Sequence, residues 1–243
     1  MTNDHLIQVW ETGLSQMPIE KSLHLLRVWG EAPDLDSVAN LSIGERDARL
    51  LQVRTVLFGS RLVNKANCPA CSETVEWENE TVDLLVQEPV PDAPIREFTL
   101  EQDGFWVRFR LPNSYDLHRA TTDPDYQTNP RKLLTDCVLS LQNDAQELPV
   151  NALPTNLVDA MNQRMETEDP QADIQMAINC PAYGHGWFVR FDIVSYLWAE
   201  IANWAKHILQ EVYALARAFG WSEGDILRMS SQRRQLYLDM IRG

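Results

Sequence analysis

Cys68-Pro69-Ala70-Cys71 and Cys180-Pro181-Ala182-Tyr183-Gly184-His185 are the two stretches around which this sequence is organised. Each places a Cys-Pro pair at the end of a short β-like run and continues into more β-like sequence. Two such turns that face each other form a zinc ribbon, in which paired Cys-x-x-Cys loops supply four thiolates to a tetrahedral zinc ion. The second copy departs from this pattern, because Tyr183 occupies the position of its second cysteine.

The residues on both sides of each turn predict strands. Residues 62–67 lead into the first turn, and residues 74–78 leave it with alternating apolar and polar side chains. The second turn has the same alternation before and after it, in Ile174, Met176, Ile178, Trp187, Val189 and Phe191. A further hairpin is predicted where Asp103-Gly104 separates residues 98–100 from residues 105–111.

Cys68, Cys71 and Cys180 are the first three ligands of the metal site that this arrangement predicts, and His185 is the candidate fourth ligand. Three cysteines and one histidine are a known ligand set of structural zinc. The alternative is that Tyr183 marks the loss of the metal and that the surviving cysteines pack as small buried side chains. Under both hypotheses, the three cysteines should converge with either Tyr183 or His185.

Helical patterns occupy most of the remaining sequence. Residues 5–30 predict two short amphipathic helices, and Ser42 with Glu45 forms a capping-box pattern for a helix that runs to about Phe58. Residues 193–219 have apolar side chains at steps of three and four, which predicts one long helix with a continuous apolar seam. Such a seam packs either against the rest of the protein or against a partner.

These elements together predict an α+β fold that is mainly α-helical. Its small antiparallel β unit resembles a degenerate zinc ribbon, with a helical insertion between the two halves and a long C-terminal helix. We expect N-terminal helices in residues 1–60, the β-rich ribbon-like unit in residues 61–191 and a C-terminal helical region in residues 192–243. The insertion is placed at about residues 113–169, where the spacing of apolar residues over 133–141 predicts a helix that buries Cys137.

The composition indicates a folded protein and disfavours two classes of partner. The 243 residues are 44% hydrophobic and include eight tryptophans, as in globular proteins. The net charge of −14 opposes binding to the phosphate backbone of nucleic acid and to an anionic membrane surface. No secretory pattern is visible, and four cysteines in such a chain favour thiols or a metal over disulfides, so we expect a cytoplasmic location.

No catalytic constellation is visible in the sequence, and we expect a protein that is not an enzyme, without catalytic or cofactor-binding residues. A glycine-rich phosphate loop, a nucleophile elbow and a recognisable pair of carboxylates are all missing. Two alternatives stay open. One is a zinc-dependent enzyme or thiol oxidoreductase that uses Cys68 and Cys71, although the strand predicted after Cys71 differs from the helix that activates such thiols. The other is a nucleic-acid-binding zinc-ribbon regulator.

Four stretches carry a resemblance to a known family. They are Leu41-Ser42-Ile43-Gly44-Glu45-Arg46-Asp47-Ala48-Arg49-Leu50-Leu51, Phe58-Gly59 with the first cysteine turn, Cys180-Pro181 with Gly184-His185-Gly186-Trp187, and residues 191–230. On these the sequence resembles the baseplate protein family of T-even-type phages, whose relatives also occur in bacterial phage-tail-like contractile injection systems. The resemblance is strongest over residues 41–71 and 180–241. In that family the second turn is usually a full Cys-Pro-x-Cys, so the sequence departs from it at Tyr183.

The resemblance implies a non-enzymatic role in building the baseplate hub of a contractile tail. The protein would act as an assembly factor or chaperone, or become a component of the particle, through contacts with hub or spike proteins. Our hypothesis is that residues 192–241 make these contacts.

Overall fold

The computed structural model of the protein describes residues 3–30, 34–90, 95–129, 131–144 and 146–242. Its helices in chain order are α1 (Asn3–Gly13), α2 (Pro18–Trp29), α3 (Leu35–Ala39), α4 (Ile43–Phe58), α5 (Thr81–Leu84), α6 (Ser114–Thr122), α7 (Asp125–Thr128), α8 (Lys132–Asp136), α9 (Thr155–Glu168), α10 (Ile193–Phe219), α11 (Glu223–Leu227) and α12 (Ser231–Arg242). Its strands are β1 (Arg61–Asn67), β2 (Thr74–Glu80), β3 (Glu97–Gln102), β4 (Phe105–Arg110), β5 (Val138–Asn143), β6 (Gln146–Leu148), β7 (Gln175–Asn179) and β8 (Gly186–Arg190). The predicted α+β class is therefore confirmed.

The chain divides into two compact units, one with the described residues of 1–31 and 194–243 and one with those of 32–193. No helix in the described residues is both long enough and apolar enough to cross a membrane. The three-part division predicted from the sequence stays a prediction.

The first unit consists of helices. Pro18 occupies the first position of α2, where its missing N–H costs nothing, and Gly30 ends the helix with a φ of 87°. The core of this unit joins α1, α10, α11 and α12 through Ile7, Ile208, Val212, Leu215, Ile226, Leu227 and Leu238. The two short helices and the long helix predicted from periodicity are therefore confirmed.

The apolar seam of α10 is mostly buried within the protein itself. Trp204 is half-buried and Phe219 is exposed, whereas the other seam residues are buried: Ile193, Leu197, Ile201, Ile208, Val212 and Leu215. Of the two packing alternatives for this seam, the structure therefore supports packing against the rest of the protein over most of its length.

The second unit begins with α3 and α4. Ser42 caps α4 as predicted, because its hydroxyl oxygen accepts the Glu45 N–H at 3.2 Å. The other half of the predicted capping box differs, since the Glu45 carboxylate accepts from Arg49 Nε at 2.9 Å and from the Val90 N–H at 3.0 Å. Gly59 follows α4 with a φ of 87°, a value that glycine adopts without strain.

A four-stranded antiparallel sheet of order β3-β4-β5-β6 forms the largest β element of this unit. The Asp103-Gly104 turn connects β3 and β4 as predicted, and both of its residues have positive φ. One face of the sheet packs on α9, in a core that includes Val107, Phe109, Leu111, Cys137, Leu141, Leu157, Met161 and Met165. The sheet and its helices lie between the two cysteine turns in sequence.

The helix predicted over residues 133–141 is wrong in its second half. α8 ends at Asp136, and Val138–Asn143 forms β5, which pairs with β4 so that Leu141 lies opposite Val107. Pairing with a hydrophobic neighbour strand outweighs the local helical spacing here. Cys137 is buried as predicted, although it lies at the junction of α8 and β5 instead of within a helix.

Candidate metal centre

The first cysteine turn closes the hairpin formed by β1 and β2. The Cys68 N–H donates to the Glu73 carbonyl at 2.8 Å, and the Ser72 N–H donates to the Cys68 carbonyl at 2.8 Å. Ser72 has a φ of 62°, so the chain reverses through a left-handed residue just after Cys71. Both cysteine side chains are thereby held at the tip of the hairpin.

The second turn repeats this geometry between β7 and β8. The Cys180 N–H donates to the His185 carbonyl at 2.9 Å, and the Gly184 N–H donates to the Cys180 carbonyl at 2.8 Å. Gly184 has a φ of 69°, matching the left-handed residue of the first turn. The two turns are therefore equivalent residue by residue, and Tyr183 holds the place that a second cysteine would occupy.

The three predicted cysteine ligands converge. The sulfur atoms of Cys68, Cys71 and Cys180 all lie within 4.8 Å of one another, and the Cys71 and Cys180 sulfurs are 3.7 Å apart. All three are free thiols. Cys68 and Cys180 are buried, whereas Cys71 is exposed. The predicted meeting of two turns that are more than a hundred residues apart in sequence is confirmed.

This geometry fits a tetrahedral metal ion. Zinc–sulfur bonds of about 2.3 Å at tetrahedral angles place neighbouring sulfurs about 3.8 Å apart, close to the 3.7 Å between Cys71 and Cys180. A disulfide would instead need about 2.05 Å. Three thiols so arranged can hold a metal ion.

Apolar side chains pack around Cys68 and Cys180. Val75 is buried with Cys68 and Cys180, and the half-buried Trp77, Ile178 and Trp187 pack against them. These four residues were not predicted from the sequence to be part of the site. They could have been predicted from the alternation of side chains along each strand, because residues two positions apart, such as Ile178 and Cys180, lie on the same face.

The thiols influence one another's ionisation. Burial opposes ionisation of Cys68, but hydrogen bonds from the N–H groups of Ala70 and Cys71 and from the neighbouring thiols keep its pKa below the ordinary value. For Cys71, the Glu73 N–H lowers the pKa, but burial and the Cys180 and Cys68 thiols outweigh it, so the pKa is raised. A bound divalent cation would supply the positive charge that allows all three to ionise.

His185 and Tyr183 lie outside the group of sulfurs. The His185 ring is exposed and stacks on Trp187, with 6.1 Å between ring centroids and 10° between planes. The Tyr183 side chain is 72% exposed. The predicted convergence of Tyr183 or His185 with the three cysteines is therefore not seen in the structure. The role of His185 as fourth ligand stays a prediction.

The chain after Cys71 continues into β2, as the sequence predicted. A strand offers no helix dipole to lower the pKa of a Cys-x-x-Cys thiol. The feature that weighed against the thiol-oxidoreductase alternative is thus confirmed.

The family model described as T4 bacteriophage base plate protein matches residues 30–198. The matched range contains α4, both cysteine turns, everything between them and the start of α10. Searches among curated proteins and among solved structures found no match. Since the family model covers well over half of the sequence, the chain belongs to the T4 bacteriophage base plate protein family.

Proposed function

We propose that this protein is a non-enzymatic baseplate assembly factor or baseplate component of a contractile phage tail or phage-tail-like injection system, acting through protein–protein contacts. The observation that carries the proposal is the family match over residues 30–198. The cluster of three sulfurs, two of them buried, adds support, because its geometry suits a structural site that joins two hairpins.

We place the contact with hub or spike proteins on the C-terminal helical region, residues 192–241. Leu236 and Met240 are 62% and 69% exposed and lie four residues apart on α12, so they share one face. Tyr213 on α10 is also exposed. Helices with such apolar anchors at a spacing of four residues dock into grooves of partner proteins.

Deletion of the gene in a strain that makes the whole particle tests the role. We expect sheaths and tubes without complete baseplates in electron micrographs. Normal particles would refute the proposal. Mass spectrometry of purified particles separates the two forms of the role, because a component remains in the particle and an assembly factor leaves it.

A double substitution tests the contact surface. Leu236→Asp with Met240→Asp should reduce particle yield, whereas the matched control Val56→Asp with Val82→Asp changes two equally exposed apolar residues of the second unit. Equal yields from the two variants would show that Leu236 and Met240 do not make the contact.

We further propose that Cys68, Cys71 and Cys180 bind a structural zinc ion, with His185 as the fourth ligand. The support is the sulfur spacing and the equivalence of the two turns. The zinc would tie the two hairpins together at their tips. To act as a ligand, His185 must leave its stack on Trp187.

Zinc content and affinity test this site. Elemental analysis should give one zinc per chain, and competition with a chromophoric chelator should rank the variants. Tyr183→Cys should bind zinc more tightly because it completes a set of four cysteine ligands, and His185→Ala should bind it less tightly. Cys137→Ser, distant from the cluster in sequence and buried in another core, is the control. Zinc-free protein together with no gain from Tyr183→Cys would refute the site.

A further inference from the structure

A groove of 870 Å³ runs along β2 and β7 in the second unit. The two strands are outer members of separate two-stranded sheets, and they are not hydrogen-bonded to each other. Every residue of β7 lines the groove, together with most of β2. The groove is therefore bordered on two sides by strands that each have one neighbour only.

The β7 edge presents unpaired backbone groups. Cys180 bonds to His185 and Ile174 bonds to Phe191 through the backbone, which fixes the alternation of bonded and non-bonded pairs along the hairpin. In an antiparallel pair, residues of the non-bonded pairs direct their N–H and C=O groups away from the partner strand. On β7 these outward residues are Gln175, Ala177 and Asn179.

The β2 edge also directs backbone groups outward, and of these the Glu80 N–H is already bonded to the Asp83 carboxylate. The bond from Cys68 to Glu73 and the bond from Thr81 to Ser60 fix the alternation at both ends of the first hairpin. The residues that direct their backbone groups away from β1 are Thr74, Glu76, Glu78 and Glu80. Exposed strand edges of this kind are templates for an added strand.

One buried side-chain donor at the groove lacks an acceptor. The indole Nε1 of Trp77 is buried and has no hydrogen-bond partner within the described part of the chain. Trp77 lines the groove. Buried polar groups are normally hydrogen-bonded, and a backbone carbonyl in the groove would satisfy this one.

The groove is acidic. Glu76, Asp83 and Asp173 line it, and its lining includes no lysine or arginine among the described residues. Asp173 pairs with Arg190 and Asp83 accepts the Glu80 N–H, while the structure shows no ion pair for Glu76 in the described ranges. A ligand with basic side chains complements this surface.

We propose that an extended, basic segment of a partner polypeptide binds between β2 and β7 as an added strand. It would join the two hairpins into one five-stranded sheet, with its backbone bonded to both edges and one carbonyl on Trp77. The five residues of β7 set its length at about 16 Å, or about five residues. This inference rests on the proposed function in one respect, namely that the protein acts through protein contacts.

A randomised dodecapeptide library displayed on phage is the probe. Selection on the intact protein should enrich peptides with β-branched or aromatic residues alternating with lysine or arginine. Acidic peptides, or no enriched peptide, would overturn the proposal. Hydrogen exchange with an enriched peptide should show protection in both β2 and β7, and protection confined to other elements would overturn it.

Two proline substitutions form a matched pair. Ala177 and Phe188 are opposite each other in a non-bonded pair, so neither N–H serves the β7–β8 ladder. Ala177→Pro blocks the edge at the groove and should weaken peptide binding at least about tenfold, whereas Phe188→Pro on the other edge should leave it unchanged. Trp77→Phe, which removes the indole donor together with part of the ring, should weaken binding severalfold. Equal binding by Ala177→Pro would overturn the proposal.

The two proposals can fail separately. Normal particles after gene deletion would remove the proposed function and leave peptide binding intact. Failure of the intact protein to enrich any peptide would remove only the groove inference, because the particle phenotype does not depend on it.

Discussion

Replacing Gly44 with alanine should destabilise the protein, although helix propensity alone favours alanine by about 1 kcal/mol. Gly44 lies in the first turn of α4. A Cβ atom there would lie 2.0 Å from Asp169 Oδ1, 2.7 Å from Asp169 Cγ and 3.0 Å from the Ala172 nitrogen. Favourable contacts between heavy atoms lie at about 3.5–4.0 Å, so the Asp169 side chain would have to move by more than an ångström.

Moving the Asp169 carboxylate would also break a hydrogen bond. Asp169 Oδ2 accepts the Gly44 N–H at 3.0 Å, and Asp169 is buried. Overpacking a tight site costs about 1–3 kcal/mol, and leaving a buried acceptor unpaired costs a similar amount. After the propensity gain is subtracted, the expected net loss in the free energy of unfolding is about 3 kcal/mol.

Urea unfolding followed by circular dichroism measures this loss, and Gly224→Ala is the control. A Cβ atom at Gly224 would meet only the Arg228 side chain, whose nearest atom, Nη1, lies at 3.4 Å, so that variant should be neutral or slightly stabilised. Adding Asp169→Ala to Gly44→Ala removes the clash and should recover part of the loss, which would show the coupling directly. A Gly44→Ala protein as stable as the wild type would refute the reasoning.

Three further predictions concern buried charged or ionisable groups. Burial raises the pKa of Cys137 to about 12, so iodoacetamide at pH 8 should label exposed Cys71 in metal-free native protein and spare Cys137 until unfolding; equal labelling in peptide mass spectra would contradict this. Burial raises the pKa of Asp47 to about 6. The folded state therefore binds more protons than the unfolded state between about pH 4 and 6. The free energy of unfolding should fall by up to about 3 kcal/mol as the pH rises through that range. In Asp47→Asn, the free energy of unfolding measured with urea should vary less with pH across the same range. Arg234 is 2% exposed and bonds a carboxylate of α10 at 2.8 Å, so Arg234→Met should cost about 3 kcal/mol in the same assay while Arg233→Met, on the exposed side of α12, should cost little.

Local patterns explain why the hairpins and long helices could be predicted. A Cys-Pro turn, the Asp103-Gly104 turn and a serine before a helix act on the backbone within a few residues. The structure places Ser72 and Gly184 at corresponding left-handed positions, and this correspondence follows from the matched spacing of the two motifs. Only residues near one another in sequence were needed.

Long-range pairing explains the errors. The residues of β5 have a spacing compatible with both a helix and a strand, and only their partner β4 selects the strand. On α4, Arg49 and Arg54 carry charged side chains of a type usually found at the surface, yet both are buried. Arg54 donates to the carbonyls of Gly59 and Arg61 at 2.5 and 2.7 Å. Acceptors on another element are not visible in a helical pattern.

The same distinction between local and long-range structure applies to the candidate sites. Three cysteines could be assigned from motif spacing because each turn is a local structure, and their meeting follows if the turns pair as a ribbon. The groove could not be predicted, because β2 and β7 are far apart in sequence and belong to separate sheets. Only the folded structure brings their edges to the same groove.

Packing around the cysteines also explains how the fold accommodates Tyr183 at the position that a second cysteine of the second turn would occupy. A small isolated zinc domain has little core and unfolds without its metal. Here, Val75 and the flanking tryptophans bury two of the sulfurs, and the core between the four-stranded sheet and α9 is separate from the cluster. The hairpins are therefore held by packing at the cysteines, and the proposed metal ion would add to an existing junction. The tip of the second turn, where Tyr183 is exposed, can then lose a ligand without loss of the fold.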